Sequence, residues 1–440
     1  MESKSDTWVL TSGALVMLMT PALGLFYGGL VSDRAVINTI MLSFGTIAVV
    51  SLLWALCGYS IAFAPSADSL GIIGNLSLAP LGFSDRYREE NNVSEHAWAF
   101  YQMMFAVITP AVISGAVVER MRFGYFLLFA SIWHLIVYCP LAHWVWEPSG
   151  WLNKLGLLDT AGGTVVESSS GVSALTLAFL MTRFSTIDKK PPPARPHNIV
   201  TVLLGAGLLW FGWFGFNAGG YNPEQAPFSL AARTVLNTHL AASSAMLTYN
   251  LMEYTVPPIG SRKPYFTGKP SSIGAACGAV VGLVAITPAC GYVTVDWSIF
   301  IGFIASIAVF YSARNVNRLL KVDDRLDVFA FHGVAGIVGT AATGLFATTS
   351  ADSPQNGAFY GAIKQFGIQL IGLGATFAIC ITGTSIAFFI LLFVSKLINV
   401  SLEYDPDFDI DAETHGEDAY QYSINDEEKL HEAQEILLAH

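Results

Sequence analysis

Apolar residues in this chain fall into long runs separated by short polar connections. Eleven runs stand out: Trp8–Leu30, Val36–Ala64, Ala97–Val118, Phe123–Ala142, Ala161–Leu180, Ile199–Ala218, Leu230–Met252, Ile273–Ala289, Trp297–Tyr311, Val328–Ala347 and Ile368–Leu397. Most reach the roughly 20 residues a helix needs to cross the hydrocarbon core of a bilayer. Trp297–Tyr311 is the shortest. In lipid a segment must satisfy its own backbone hydrogen bonds, which a helix does. The pattern therefore predicts an all-α polytopic membrane protein with eleven transmembrane helices. The first run is longer than a signal-peptide core and no small-residue cleavage pattern follows it, so it reads as a retained helix.

Composition agrees, with 53% of residues hydrophobic and 12% charged, against roughly 25% charged in an ordinary soluble domain. Basic residues in the connections set the orientation, because they stay preferentially on the cytoplasmic side. With the N-terminus outside, the inner segments hold fifteen: Arg34, Arg120, Arg122, Arg183, Lys189, Lys190, Arg195, Arg262, Lys263, Lys269, Arg314, Arg318, Lys321, Arg325 and Lys396. The outer segments hold six, Lys4, Arg86, Arg88, Lys154, Arg233 and Lys364. This predicts N-out and C-in, with the sequon Asn92-Val93-Ser94 on the outside. The net charge of −11 is local: residues 401–440 hold thirteen acids and one lysine, or −12, which leaves residues 1–400 near +1. Two domains follow, a transmembrane unit (1–400) and an acidic cytoplasmic tail (401–440) whose last part, Asn425–His440, resembles a short charged helix. The tail reads either as a solvated terminus or as a regulatory segment that docks on the basic inner loops.

The five cysteines, Cys57, Cys139, Cys277, Cys290 and Cys380, lie scattered in apolar runs without metal-ligand spacing and read as small buried hydrophobes. No phosphate-binding glycine loop, zinc spacing or nucleophile elbow is present, so no constellation supports an enzyme, and no cofactor or nucleic-acid partner is implied. The informative residues are ionisable groups inside the runs, each of which costs roughly 2.5–3.5 kcal/mol at a helix centre. Glu167 follows Asp159 by eight residues, and His332 follows Asp324 by eight. Eight helical residues rise about 12 Å, which places both near mid-membrane. Their helices, the fifth and the tenth, enter from opposite sides, as an inverted repeat of five plus five helices with one extra helix would require. Gly24-Leu-Phe-Tyr-Gly-Gly in the first run and Trp213-Phe-Gly-Phe-Asn-Ala-Gly-Gly in the sixth support that repeat, since glycines let helices approach while rings line a central path. The plainer readings are small-residue packing and a structural Glu–His hydrogen bond.

Several ordered segments resemble the Amt/Mep/Rh ammonium transporter family, from Trp8 to about Tyr420. The most specific is Leu158-Asp-Thr-Ala-Gly-Gly-Thr-Val-Val-Glu-Ser-Ser-Ser-Gly-Val-Ser-Ala-Leu175. Others are Gln102-Met-Met-Phe-Ala-Val-Ile-Thr-Pro, Trp210-Phe-Gly-Trp-Phe-Gly-Phe-Asn-Ala-Gly-Gly, Thr287-Pro-Ala-Cys-Gly-Tyr, Val322 to Ile337 around His332, and His415-Gly-Glu-Asp-Ala-Tyr. The resemblance implies a homotrimer in the plasma membrane with one pore per subunit, moving ammonium or methylammonium. It makes Phe105 and Trp146 an outer vestibule that attracts the cation by cation–π interaction, worth roughly 0.5–2 kcal/mol. It makes Phe105 and Phe216 a stacked gate, Asp159 a buried helper, and Glu167 with His332 the twin pair of the pore.

The twin pair is usually two histidines, and Glu167 in the first position resembles the fungal Mep1/Mep3-like branch. Gly220 stands where a vestibule serine is common, and Thr160 where an aromatic is, which implies a weaker outer site. The implied chemistry separates ammonium into ammonia, which crosses an apolar lumen, and a proton, which Glu167 and His332 relay. Two alternatives belong to other classes: a Rh-like neutral channel for ammonia or carbon dioxide, and an ammonium sensor that signals through a kinase or other partner at the tail.

Overall fold

The computed structural model describes residues 4–81, 86–88, 93–185, 187, 196–220, 228–256 and 269–420. Among them, eleven long helices form one bundle: α1 (Lys4–Leu30), α2 (residues 36–63), α3 (Glu95–Ser114), α4 (residues 123–146), α5 (Gly163–Phe184), α6 (Ile199–Ala218), α7 (Phe228–Thr255), α8 (Ser272–Ile286), α9 (Val295–Leu320), α10 (Phe329–Phe346) and α11 (Ile363–Ile398). Each answers one apolar run. The ninth run is too short as read from sequence, because α9 has 26 residues and stops only at Lys321, which takes left-handed backbone with φ 54°. Arg314 and Arg318 end the apolar run without ending the helix, since long basic side chains keep good helix propensity. Conversely, α3 stops at Ser114 rather than Val118, and residues 115–120 form a turn. Asn92, Lys189, Lys190, Arg195, Arg262, Lys263 and the segment Asn425–His440 lie outside the described residues.

The bundle exposes large apolar side chains such as Leu52, Leu247, Ile363 and Phe393, as a chain solvated by lipid does. Packing inside relies on close backbone approach at small residues. A Cβ added at Gly171 of α5 would lie 2.1 Å from the Gly333 amide nitrogen of α10, so neither helix could hold its place with a side chain there. At Gly205 of α6 a Cβ would lie 2.5 Å from the Phe26 amide nitrogen of α1. These two close crossings join first to sixth and fifth to tenth helix, the pairs the inverted repeat relates.

The starts of α5 and α10 match as well. Asp159 accepts the amides of Gly162, Gly163 and Thr164 at 2.7–2.8 Å, together with the Thr164 hydroxyl. Asp324 accepts those of Val328 and Phe329 at 3.0 and 2.8 Å. Each carboxylate satisfies helix-terminal amides that have no intrahelical partner and lies at the positive end of the dipole. Each helix then opens with a π segment, Gly163–Ser168 and Phe329–Val334, which contain Glu167 and His332.

Residues 401–420 take the docked arrangement, folded against one end of the bundle, called here the tail side. Arg122 donates its amide to the Leu402 carbonyl, Tyr404 donates to the Arg120 carbonyl, and Glu403 pairs with the Arg120 guanidinium at 3.1 Å. The Arg122 guanidinium lies over the rings of Tyr404 and Phe408, 5.2 and 5.6 Å from their centroids. Asp411, in a short helix (Ile410–His415), accepts the Ile37 and Asn38 amides at 2.8 and 2.7 Å. A tail carboxylate therefore caps α2 from a distance in sequence, while of the two arginines between α3 and α4 Arg120 meets the tail's Glu403 and Arg122 its aromatic rings. The far side has its own clamp: Arg88, buried over the Phe63 and Trp98 rings, holds Glu147 at 3.0 Å and Glu95 at 3.6 Å.

Replacing Asp411 by alanine removes one such cap, worth about 1 kcal/mol. Hydrogen exchange at the Ile37 and Asn38 amides is expected to accelerate about fivefold while exchange in the middle of α2 is unchanged. Unaltered exchange at both amides contradicts the assigned cap.

Candidate functional site

A column of side chains runs through the middle of the bundle, between the α1–α6 and α5–α10 crossings. At its far-side end the rings of Phe105 (α3) and Phe216 (α6) stack with centroids 4.2 Å apart at an angle of 25°. Each is 1% exposed, so the stack closes the column. Trp146, the last residue of α4, stands edge-on to Phe105 at 5.9 Å, and its ring N–H donates to the Asp159 carbonyl at 3.3 Å. Phe105, Trp146 and Phe216 therefore form one aromatic group drawn from three helices. Asp159 belongs to its support: its carboxylate faces the first turn of α5, not the rings.

On the inner side of Phe216 an apolar cavity is lined by Met19, Ile108, Val112, Leu209 and Val280, with Glu167 and His332 in its wall. His332 Nδ1 lies 2.8 Å from Glu167 Oε2. The pair is buried, at 5% and 1% exposure, so the hydrogen bond lies in a low-dielectric setting and is stronger than one in water. Its geometry follows from the glycine crossing described above. Gly171 lies one helical turn after Glu167, and Gly333 directly follows His332.

Beyond the pair a second cavity opens to the tail side past Tyr27, Tyr249, Glu253 and Asp327. Phe26, Val280 and His332 line both cavities. The column thus has two chambers that meet at the Glu167–His332 contact. Glu253 is also engaged locally, accepting the Ser271 amide at 2.9 Å at the start of α8.

Gly220 closes the described part of the α6 end, and a Cβ there would meet nothing within 4 Å. Among the described residues, then, nothing crowds a side chain at position 220. Thr160 bonds the Pro288 carbonyl through its amide and hydroxyl, at 3.1 and 3.2 Å, and so ties the approach to α5 onto the α8 end.

Several residues of the column escape sequence reasoning. Met19, Ile108, Leu209 and Val280 are aliphatic residues on membrane helices, where lipid-facing and pore-facing positions read alike. Phe26 and Trp213 carry a signal, the rings set among glycines. The Trp213 N–H donates to the Thr287 hydroxyl at 2.9 Å, which leaves the ring face to the cavity. Two further buried histidines, His134 and His143 of α4, stand apart from the column. His143 bonds the Ser66 hydroxyl and the Ala62 carbonyl at 2.8 and 3.1 Å, and His134 stacks on Tyr138.

Comparison with known proteins identifies the family. The Ammonium Transporter Family profile matches residues 7–420. An ammonium transporter of Bacillus subtilis (strain 168) is 40% identical over 426 residues, covering 96% of this chain and 100% of that protein. Ammonium transporter 1 of Dictyostelium discoideum is 36% identical over 422 residues, with 94% and 87% covered. The crystal structure of Candida albicans Mep2 matches with a TM-score of 0.80 at 32% identity, over 92% of this chain and 87% of that one. A structure described as Sensor Amt Protein matches with a TM-score of 0.80 at 26% identity, over 94% and 98%. These relatives include a bacterium, an amoeba and a fungus and do not single out the fungal Mep1/Mep3 branch. With a two-chambered column inside eleven helices and relatives matched over nearly its whole length, the chain belongs to the ammonium transporter family.

Proposed function

We propose that the chain takes up ammonium by separating it into ammonia and a proton, with the Glu167–His332 pair as the proton route. The observation that carries this reading is the 2.8 Å contact between Glu167 Oε2 and His332 Nδ1 at the meeting point of the two chambers. Recruitment falls to Trp146 and Phe105, whose ring faces attract a cation, and Gly220 itself adds no hydroxyl. The Phe105–Phe216 stack is the gate. A dehydrated ammonium ion needs acceptors that the aliphatic walls beyond it do not offer, and an uncompensated ion in such a place is prohibitively costly. Ammonia carries no charge and crosses those walls at much lower cost.

The proton moves separately. A carboxylate and an imidazole in hydrogen-bond contact can each accept and release a proton, and His332 borders the tail-side chamber where the proton rejoins ammonia. Asp159 supports the route by holding the start of α5, and Asp324 does the same for α10. Net transfer of one positive charge makes transport electrogenic. Methylammonium has a proton to give and is carried; potassium has none and passes only as a small leak of the intact ion, held down by the stack and the aliphatic walls. The basic-residue asymmetry supports an N-out, C-in orientation in the plasma membrane, with residues 401–440 as a cytoplasmic regulatory tail open to a kinase or another partner, and family resemblance supports a homotrimer.

The relay is tested by currents from purified protein in liposomes given an ammonium pulse. Glu167→Gln keeps the size and much of the hydrogen bonding but cannot titrate, so current per transporter is expected to fall at least about a hundredfold, in the range seen when a positioned proton carrier is lost. His332→Ala is expected to abolish it, and Glu167→His to restore current with an altered pH optimum. A fully active Glu167→Gln variant with unchanged pH dependence overturns the relay, and wild-type transport of tracer methylammonium without current favours neutral passage.

The gate makes a separate prediction. Phe216→Ala opens the stack while Phe105 and Trp146 remain, so the ratio of potassium to ammonium current is expected to rise and the apparent ammonium affinity to change in protein that still elutes as folded. Equal ratios in wild type and variant remove the stack from the selectivity mechanism.

A further inference from the structure

Tyr101 precedes Phe105 by four residues on α3, so the two side chains share a helix face. Its ring stands edge-on to Phe105, with centroids 4.9 Å apart at 69°. Its hydroxyl donates to the Phe216 carbonyl at 2.8 Å and lies 3.4 Å from the Gly215 carbonyl. Both carbonyls belong to the last turn of α6, where a helix runs out of amides for its own carbonyl groups. Other groups of that turn are provided for: the Gly219 amide donates to the Gly215 carbonyl at 2.9 Å, and the Trp8 ring N–H donates to the Ala218 carbonyl at 3.0 Å. The residue is 2% exposed, and a Cβ added at Gly219 would come within 2.6 Å of its ring. The tyrosine is therefore wedged against the end of α6. One side chain touches the ring of one stacked phenylalanine and holds the backbone of the other.

We infer that the Tyr101 hydroxyl is a positioning group that fixes the spacing of the Phe105–Phe216 stack and thereby sets how tightly the closed pore excludes ions. It acts through the two phenylalanines and touches no substrate. The inference rests on the stack being the gate. A phenylalanine at 101 would keep the ring contact with Phe105 but release the end of α6, leaving a buried carbonyl without its donor. Such a group seeks another partner by moving. The movement open to it is a shift of the last α6 turn, which carries the Phe216 ring.

The test compares potassium and ammonium currents, with the apparent KM for ammonium, in full-length protein reconstituted as wild type, Tyr101→Phe, Trp8→Phe and Phe216→Ala. Tyr101→Phe is expected to raise the potassium-to-ammonium current ratio about fivefold, the factor that loss of one hydrogen bond of ordinary strength corresponds to. Trp8→Phe removes a donor from the same helix end but touches neither stacked ring, and is expected to leave the ratio at the wild-type value. Equal changes in these two variants, or no change in Tyr101→Phe while Phe216→Ala shifts the ratio, overturn the role of the hydroxyl. No change in Phe216→Ala instead overturns the gate itself. Should Tyr101→Phe not fold, 4-methylphenylalanine at position 101 fills the same space without a donor: a raised ratio supports the inference and a wild-type ratio overturns it.

Discussion

The approach of Gly171 to Gly333 is the constraint on which the central column depends. With no side chain on either, α5 and α10 touch backbone to backbone beside Glu167 and His332, and those side chains meet at hydrogen-bond distance. A methyl group at Gly171 would have to push the helices apart, and a separation of even about 1–2 Å exceeds the range over which a hydrogen bond survives. The two buried polar groups would then stand unpaired in an apolar wall, the arrangement that costs most. Packing at the crossing and chemistry at the pair are thus one requirement.

That crossing needs its helices to begin in the right places. Asp159 and Asp324 provide this by gathering the first free amides of α5 and α10. Each π segment that follows widens the helix locally and displaces the side chains it carries relative to a regular α-helix. Glu167 and His332 sit within these segments, so cap, wide turn and pore-facing group form one unit present twice in opposite directions. Around it, α1 and α6 cross in the same close manner and bring Phe26 and Phe216 to the column.

How much of this can be read from the sequence depends on whether a residue is unusual for its surroundings. Glu167 and His332 are costly in a membrane, and matching aspartates eight residues upstream make their pairing legible from spacing alone. The eleven runs are legible because lipid demands apolar length. Met19, Ile108, Leu209 and Val280 are not, because an aliphatic residue facing an apolar cavity inside the bundle and one facing lipid satisfy the same physical rule. The end of α9 escapes the pattern for a related reason: hydropathy reports where the membrane ends, whereas a helix with basic residues continues past it. Docking of residues 401–420 is only one of two readings the sequence allows, since it depends on Asp411 meeting the amides of Ile37 and Asn38, a match between segments that no local pattern encodes.

On the proposed reading, glutamate in place of the usual imidazole changes the charge arithmetic of the relay. A pair of imidazoles without an extra proton is neutral, whereas a carboxylate beside a neutral imidazole carries a full negative charge among Met19, Ile108 and Val280. Burying that net charge is costly, and a single proton held between Glu167 and His332 removes it. The pair then passes a proton on by receiving another: one enters from the chamber beneath Phe216 as one leaves from His332 toward the tail-side chamber, and no intermediate need carry a lasting charge. The dryness that denies ammonium its passage thereby also keeps the pair loaded, so gate and relay depend on the same aliphatic walls.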